Sequence, residues 1–309
     1  MIATITLNPS IDQHFVVRSL VMDDANRALS VNRTAGGKGL NVSKVVRELG
    51  GPTRAYALTG GFVGDFWEHL VRGMDIPFFT RPVRGETRIN TILTDLRDRT
   101  QTRVSAPGPK VGGAELARFL RRLLAVRPKP FCWALGGSLP KDAPASAYRE
   151  FVSALQKNGT PCILDADDEG LREGVKGRPF CIKPNEYEMQ RLAGKRLKTI
   201  AEYRRAADGL VRAGVRVVVV SLGAQGALVV SHDRSYRLPG LRVPVKSKVG
   251  AGDSLIGGLA LGLWRRMDLG RAAALGIAAS ASAVMRESPR LCKRADIPAL
   301  LRKVRIERY

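Results

Sequence analysis

Short apolar runs of strand length recur along the chain, and amphipathic stretches of helix length separate most of them. This alternation restricts the fold more than any other feature. The runs are Ile2 to Leu7, Phe131 to Leu135, Cys162 to Asp165, Phe180 to Ile182 and Arg216 to Ser221. Between them, "NVSKVVRELG" places Val42, Val45, Val46 and Leu49 on one helical face and stops at Gly50, where a left-handed terminal residue is favoured. Further helices are predicted near Gly64 to Met74, Ala145 to Asn158, Ile200 to Ala213, Asp253 to Arg266 and Arg271 to Met285. Buried strands alternating with helices imply an α/β fold, a mostly parallel sheet covered on both faces. Two segments, His14 to Ala35 and Glu86 to Ala106, instead alternate polar and apolar residues around turn-like "DD" and "RDRT". They read as half-exposed antiparallel strands forming a small appended sheet over the carboxyl ends of the core strands.

Composition narrows the class. The 309 residues are 44% hydrophobic and 26% charged, ordinary values for a globular chain that buries a full-sized core. The four cysteines, Cys132, Cys162, Cys181 and Cys292, are far apart and mostly have apolar neighbours. They read as buried free thiols in a reducing compartment. The N-terminus has no signal-peptide pattern, and the weakly polar run Ala272 to Met285 is too short to span a bilayer. A cytoplasmic protein without a membrane partner is expected. The formal charge of +23 makes a polyanion a candidate partner. However, in "AELARFLRRLLAV" Leu116, Phe119, Leu120, Leu123 and Leu124 form one stripe, with Arg118, Arg121 and Arg122 off it, as on a solvated face. Aromatic residues are only 6%, and no nucleic-acid-binding motif is present, so specific nucleic-acid readout is not expected.

Several familiar motifs are absent. Gly250, Gly252 and Leu255 miss the dinucleotide fingerprint at its third glycine, and Lys38 and Lys195 are not followed by Ser or Thr as a Walker loop requires. "GGSLP" has Pro140 where a nucleophile elbow needs glycine. With only His14, His69 and His232, a serine triad or a histidine metal site has little to draw on.

What remains is a set of glycine-rich turns carrying polar side chains. "AGGKGLNVSKV" sets three glycines and Lys38 just before a helix N-terminus, where free N–H groups and the helix dipole favour an anion. A simple turn into a helix explains the glycines but not Lys38 or Asn41. "VGAGDS", Val249 to Ser254, repeats the design. There Asp253 reads equally well as a helix cap or as a general base. "IKPNEYEM" offers Lys183, Asn185 and Glu188 at a strand exit, with a Pro-Asn turn capping the next helix as the plainer reading. "VVVSLGAQGALVV" reads by default as a hairpin.

In this order, "TLNPSID", "AGGKGLNVSKVVRELG", "TRIN", "GSLP", "KPNEYEM", "VVVSLGAQGAL" and "VGAGDS" resemble the ribokinase-like, PfkB-type sugar kinases, in particular the phosphofructokinase and tagatose-6-phosphate kinase branch. The resemblance runs from Ile5 to about Leu301. It implies a single kinase domain, 1–309, a ribokinase-like three-layer sandwich with a small β-sheet lid at about 12–35 and 86–107. It further implies ATP and Mg2+ as cofactors and a sugar-phosphate substrate, while the exposed edges of such a lid lead to the expectation of a homodimer through it. By the same resemblance Asp253 would be the general base, with Gly250, Ala251 and Gly252 forming an anion hole. Asp12, Gly37, Lys38 and Asn41 would hold the sugar phosphate, with Arg88 and Asn90 reaching in from the lid and Ser138 nearby; Arg27 would add a cation for the phosphate. Lys183, Asn185, Ser221, Gly223 and Gly226 would line the nucleotide site, and Asn185 with Glu188 would be linked indirectly to magnesium.

Substrate patterns are mixed. "GETRIN" and the Lys of "GGKG" are similar to fructose-1-phosphate and tagatose-6-phosphate kinases. "PVKSKVGAGDS" and "SPRLCKRADI" are similar to minor-type 6-phosphofructokinases, and "TRVSAPGPK" lacks the Glu-rich text of the fructose-1-phosphate branch. A polyanion-binding or regulatory protein on a kinase-like fold is the alternative of another class.

Overall fold

The computed structural model describes residues 1–309. In chain order the elements are β1 (Ile2–Thr6), β2 (Ser10–Val17), β3 (Ser30–Gly36), α1 (Lys38–Glu48), β4 (Thr53–Thr59), α2 (Gly61–Arg72), β5 (Phe78–Pro82), β6 (Arg88–Asp95) and β7 (Thr100–Val104). Then follow α3 (Gly113–Leu124), β8 (Cys132–Gly137), α4 (Ala147–Lys157), β9 (Cys162–Ala166), α5 (Asp168–Val175), β10 (Cys181–Ile182), α6 (Glu186–Ala193), α7 (Ile200–Arg212) and β11 (Val217–Ser221). The chain ends with β12 (Ala227–Ser231), β13 (Ser235–Leu238), α8 (Ala251–Trp264), α9 (Leu269–Val284), α10 (Ile297–Leu301) and β14 (Glu307–Arg308).

Ten strands form the main sheet in the order β14-β13-β12-β11-β10-β9-β8-β1-β4-β5. From β11 to β5 all neighbours run parallel, and β12 to β14 add an antiparallel edge. Alternation along each strand separates two cores. Ala3, Ile5, Trp133, Leu135 and Leu164 pack with residues of α3, α4 and α7. Ile2, Cys132, Ala134 and Ile163 pack with α1, α8 and α9 on the opposite face. The result is a three-layer α/β sandwich. All four cysteines are buried free thiols, and no helix is long and apolar enough to cross a membrane.

The two polar-apolar segments do form a separate sheet, in the order β3-β2-β6-β7. Each segment is an antiparallel hairpin, as expected, but the central pair β2 and β6 is parallel. Both strands leave the same rim of the core, which dictates one direction. At the root of this lid the Trp67 indole, fully buried, donates to the Gly36 carbonyl at 3.0 Å. Strand order reverses between β1 and β8, and the crevice at such a reversal, outside the carboxyl ends of the strands, is where ligands bind in open α/β sheets.

Candidate active site

That crevice collects side chains from most of the predicted motifs. Helix α8 is buried almost all round, and backbone contact with α9 fixes its position: a Cβ on Gly258 would lie 2.7 Å from the Gly276 Cα. Gly250, at φ 77°, is its N-cap, a left-handed conformation that favours glycine. The first intrahelical bond runs from the Ser254 N–H to the Gly250 carbonyl at 2.9 Å. The N–H groups of Ala251, Gly252 and Asp253 are therefore free to meet an anion.

Asp253 does not cap the helix. Its carboxylate, 8% exposed, instead accepts from Asn41 Nδ2 at 2.8 Å, across the crevice on α1. Burial pushes its pKa up to about 6 and the nearby Asp165 adds to this, while Lys38, Asn41 and Lys183 act in the opposite direction. A carboxylate tuned toward neutrality and set beside helix N–H groups can accept a proton where negative charge gathers.

On the other wall, α1 starts at Lys38 after Gly37, whose φ of 123° suits glycine. Lys38 Nζ donates to Asp167 at 2.6 Å and to Asp165 at 3.3 Å. Burial alone would lower the Lys38 pKa, but these two carboxylates hold it above its ordinary value. Asp165, at the end of β9, also pairs with the buried Lys183 at 3.4 Å. Burial favours its neutral form, yet Lys183 and Lys38 outweigh this and keep its pKa below the usual carboxylate value. A Cβ on Gly252 would lie 3.3 Å from Lys183 Cε and Nζ, so one lysine joins the Asp165 cluster to the free helix end.

The lid contributes Asp12, whose carboxylate accepts from Ser10 and from Asn90 Nδ2, both at 2.8 Å. Ser138, after β8, accepts from Asn8 Nδ2 at 3.3 Å. Two other residues are placed differently from the rest. Arg88 donates to the carbonyls of Asn8 and Ala106, both at 3.0 Å, so its guanidinium pins the lid root. Arg27 is exposed in the β2–β3 connection and makes no ion pair.

Asn185 caps α6 as the plainer reading expected: its side chain accepts from the Glu188 N–H at 2.9 Å, and Glu188 accepts from the Asn185 N–H at 2.8 Å. The capping leaves Asn185 Nδ2 and the second Glu188 oxygen free. Burial raises the Glu188 pKa. "SLGAQG" is the expected hairpin between β11 and β12. The Ser221 N–H donates to the Pro184 carbonyl at 2.9 Å, next to Asn185, while Gly223 and Gly226 take positive φ in the turn. A Cβ on Gly226 would lie 2.0 Å from the Leu238 carbonyl.

Four site residues were not singled out from sequence: Asn8, Lys44, Asp165 and Asp167. Asp165 carried a signal, a carboxylate closing an apolar strand run.

A model of the pfkB family of carbohydrate kinases matches residues 5–296. The chain belongs to that family. Phosphofructokinase-2 from Escherichia coli, in complex with substrates and products, is 29% identical with a TM-score of 0.92, covering 97% of this chain and 98% of that one. The same protein is known in a tetrameric inhibited form (TM-score 0.91). A Thermotoga maritima protein described as a possible 1-phosphofructokinase is 25% identical with a TM-score of 0.90, covering 100% of this chain and 99% of that one. This pfkB kinase is thus a phosphotransferase with the ribokinase-like fold.

Proposed function

We propose that this chain transfers the γ-phosphoryl group of ATP to a hydroxyl of a phosphorylated ketohexose. The substrate would be fructose 1-phosphate or fructose 6-phosphate, and the product fructose 1,6-bisphosphate. The observation that carries the reading is the buried Asp253 carboxylate at the open end of α8, held by Asn41. Asp253 accepts the hydroxyl proton as the sugar oxygen bonds to the γ-phosphorus and the bond to the β-phosphate oxygen breaks. The N–H groups of Ala251 and Gly252 stabilise the equatorial oxygens during transfer, with Lys183 beside them.

The residues present fit Mg-ATP. Magnesium keeps several waters and needs only one or two carboxylates beside substrate phosphates, and Glu188 offers an oxygen that its capping bond leaves free. When bound, the ion neutralises phosphate charge. Asn185 and Glu188 would hold its water shell, and Lys183, Ser221, Gly223 and Gly226 the nucleotide. Lys38 favours a substrate already phosphorylated, exchanging part of its Asp165 and Asp167 pairing for the phosphate.

A coupled ADP assay across fructose 1-phosphate, fructose 6-phosphate, tagatose 6-phosphate and free sugars tests the reading. Turnover on a fructose phosphate is expected, with Lys38→Ala raising KM for it roughly 10- to 100-fold, the range of one charge-assisted contact. Turnover confined to tagatose 6-phosphate would move the substrate, and an unchanged KM would remove Lys38 from the phosphate site. Salt-dependent DNA binding without turnover on any sugar would favour a polyanion binder.

A homodimer through the lid belongs to the same reading. Val31, Ile89 and Val104 lie exposed on the small sheet, and Phe15 is paired with both Val31 and Leu93 on that face. Such an apolar sheet face is suited to a second copy. Sedimentation should give twice the chain mass, and Val104→Glu should halve it; a monomer at micromolar concentration would refute the dimer. A cytoplasmic setting accords with the four unpaired thiols.

A further inference from the structure

One lysine of the crevice has no part in the scheme above. Lys44 lies one helical turn after Asn41 on α1, so the two side chains share a face. Its ammonium donates to the Ala35 carbonyl at the end of β3 (2.5 Å) and to Asn41 Oδ1 (3.3 Å). Asn41 in turn donates through Nδ2 to Asp253 (2.8 Å). An ammonium has donors only and a carboxylate has acceptors only. Between them the Asn41 amide has a single favourable orientation, oxygen toward Lys44 and NH2 toward Asp253. With Lys44 removed, the amide can turn over and present its oxygen to the carboxylate, which disfavours the ionised form.

The charges facing this pair come from several elements of the crevice. Asp12 and His14 approach Lys44 from β2, and Arg103 of β7 lies near His14. Asp165, Lys38 and Lys183 surround Asp253. Burial lowers the Lys44 pKa to about 8, with Asp12 and Asp253 opposing that fall, so Lys44 remains charged at neutral pH.

We infer that Lys44 is a positioning residue for the base: through Asn41 it orients the Asp253 carboxylate and holds it ionised. This rests on Asp253 being the proton acceptor proposed above. The test is the pH dependence of kcat/KM for Lys44→Met, Lys44→Arg, Asn41→Leu and the double variant, each beside the unsubstituted chain with Mg-ATP and a fructose phosphate. The sugar phosphate's own titration near pH 6 is common to all, so differences between variants report the protein. Lys44→Met should move the acid limb up by about one pH unit, roughly tenfold in rate below the limb, with recovery near pH 9. Lys44→Arg, which keeps charge and donors, should leave the limb within a few tenths of a unit. Asn41→Leu should shift it as Lys44→Met does, and the double variant no further, as for one coupled unit.

An unmoved limb in Lys44→Met, or an equal shift in Lys44→Arg, overturns the inference. If Lys44→Met does not fold, Lys44→Gln is judged by the same criterion. Absence of sugar-dependent turnover in the unsubstituted chain would defeat the functional reading itself. Normal turnover with a limb indifferent to residue 44 would defeat only the role of Lys44.

Discussion

Asp253→Asn should abolish sugar-dependent ADP release while making the protein more stable. General-base catalysis contributes about 10²- to 10⁴-fold, and an amide in the same place cannot accept the proton. Nucleotide binding, checked by equilibrium titration, should survive, because the groups assigned to it lie in the β10–α6 connection, at the end of β11 and in the β11–β12 turn, and the substitution removes none of them. The stability gain follows from linkage. Asp253 titrates at about 6 in the fold against 3.8 ordinarily, so keeping it ionised disfavours the folded state above pH 6. That penalty is relieved as pH falls from about 6 toward 3.8. Its size is about 1–3 kcal/mol. The variant should therefore melt several degrees higher at pH 8, with the advantage gone at pH 3.8. Near-normal kcat would remove Asp253 from the chemistry, and equal melting temperatures at pH 8 would contradict the raised pKa.

Asp165→Asn should have the opposite effect on stability. Asp165, 3% exposed, lies between Lys38 and Lys183. Lys38 keeps Asp167 in the variant, whereas Lys183, itself 4% exposed, has no other carboxylate within ion-pair distance. Removing one partner of a buried pair costs about 3–5 kcal/mol, because the remaining charge is left uncompensated. For a chain of this size that is on the order of a 10 °C fall in Tm. The Asp165 pKa is depressed in the fold, so the stability it contributes is present above its ordinary value of 3.8 and is lost as pH falls below it. The difference between variant and parent should accordingly narrow in acid. Losing a negative neighbour also lowers the Asp253 pKa, so the acid limb of activity should move down, opposite to the shift expected for Lys44→Met. A melting temperature unchanged at pH 7 would refute the pairing.

Much of this was legible in sequence where the signal is local. Period and length placed β1, β8, β9 and β11 within a residue or two, and α4, α7, α8 and α9 likewise. The glycine turns before α1 and α8 marked the two crevice walls. What escaped depends on distant parts of the chain meeting. Lys38 and Asp165 are 127 positions apart, and no spacing rule links them. Lys44 looks like an ordinary polar position on an amphipathic helix until β3 and α8 are brought against it. Arg88, offered by its charge as a phosphate ligand, binds two carbonyls instead, a choice set by the path of the chain at Asn8 and Ala106. Whether Asp253 caps the helix was undecidable from residue type; Gly250 holds the cap position, and the carboxylate accepts from Asn41 instead.

The parallel register of β2 with β6, from Ser10↔Arg88 to Val17↔Asp95, joins the two hairpins into one stiff plate. Its two stems emerge side by side from the core, one after Pro9 and one after Thr87, so together they define an axle. Moving one hairpin without the other would break that ladder. Asp12 and Asn90, bonded to each other across that register, are carried on it together, so the contact proposed for them with a sugar would be made or broken by both at once.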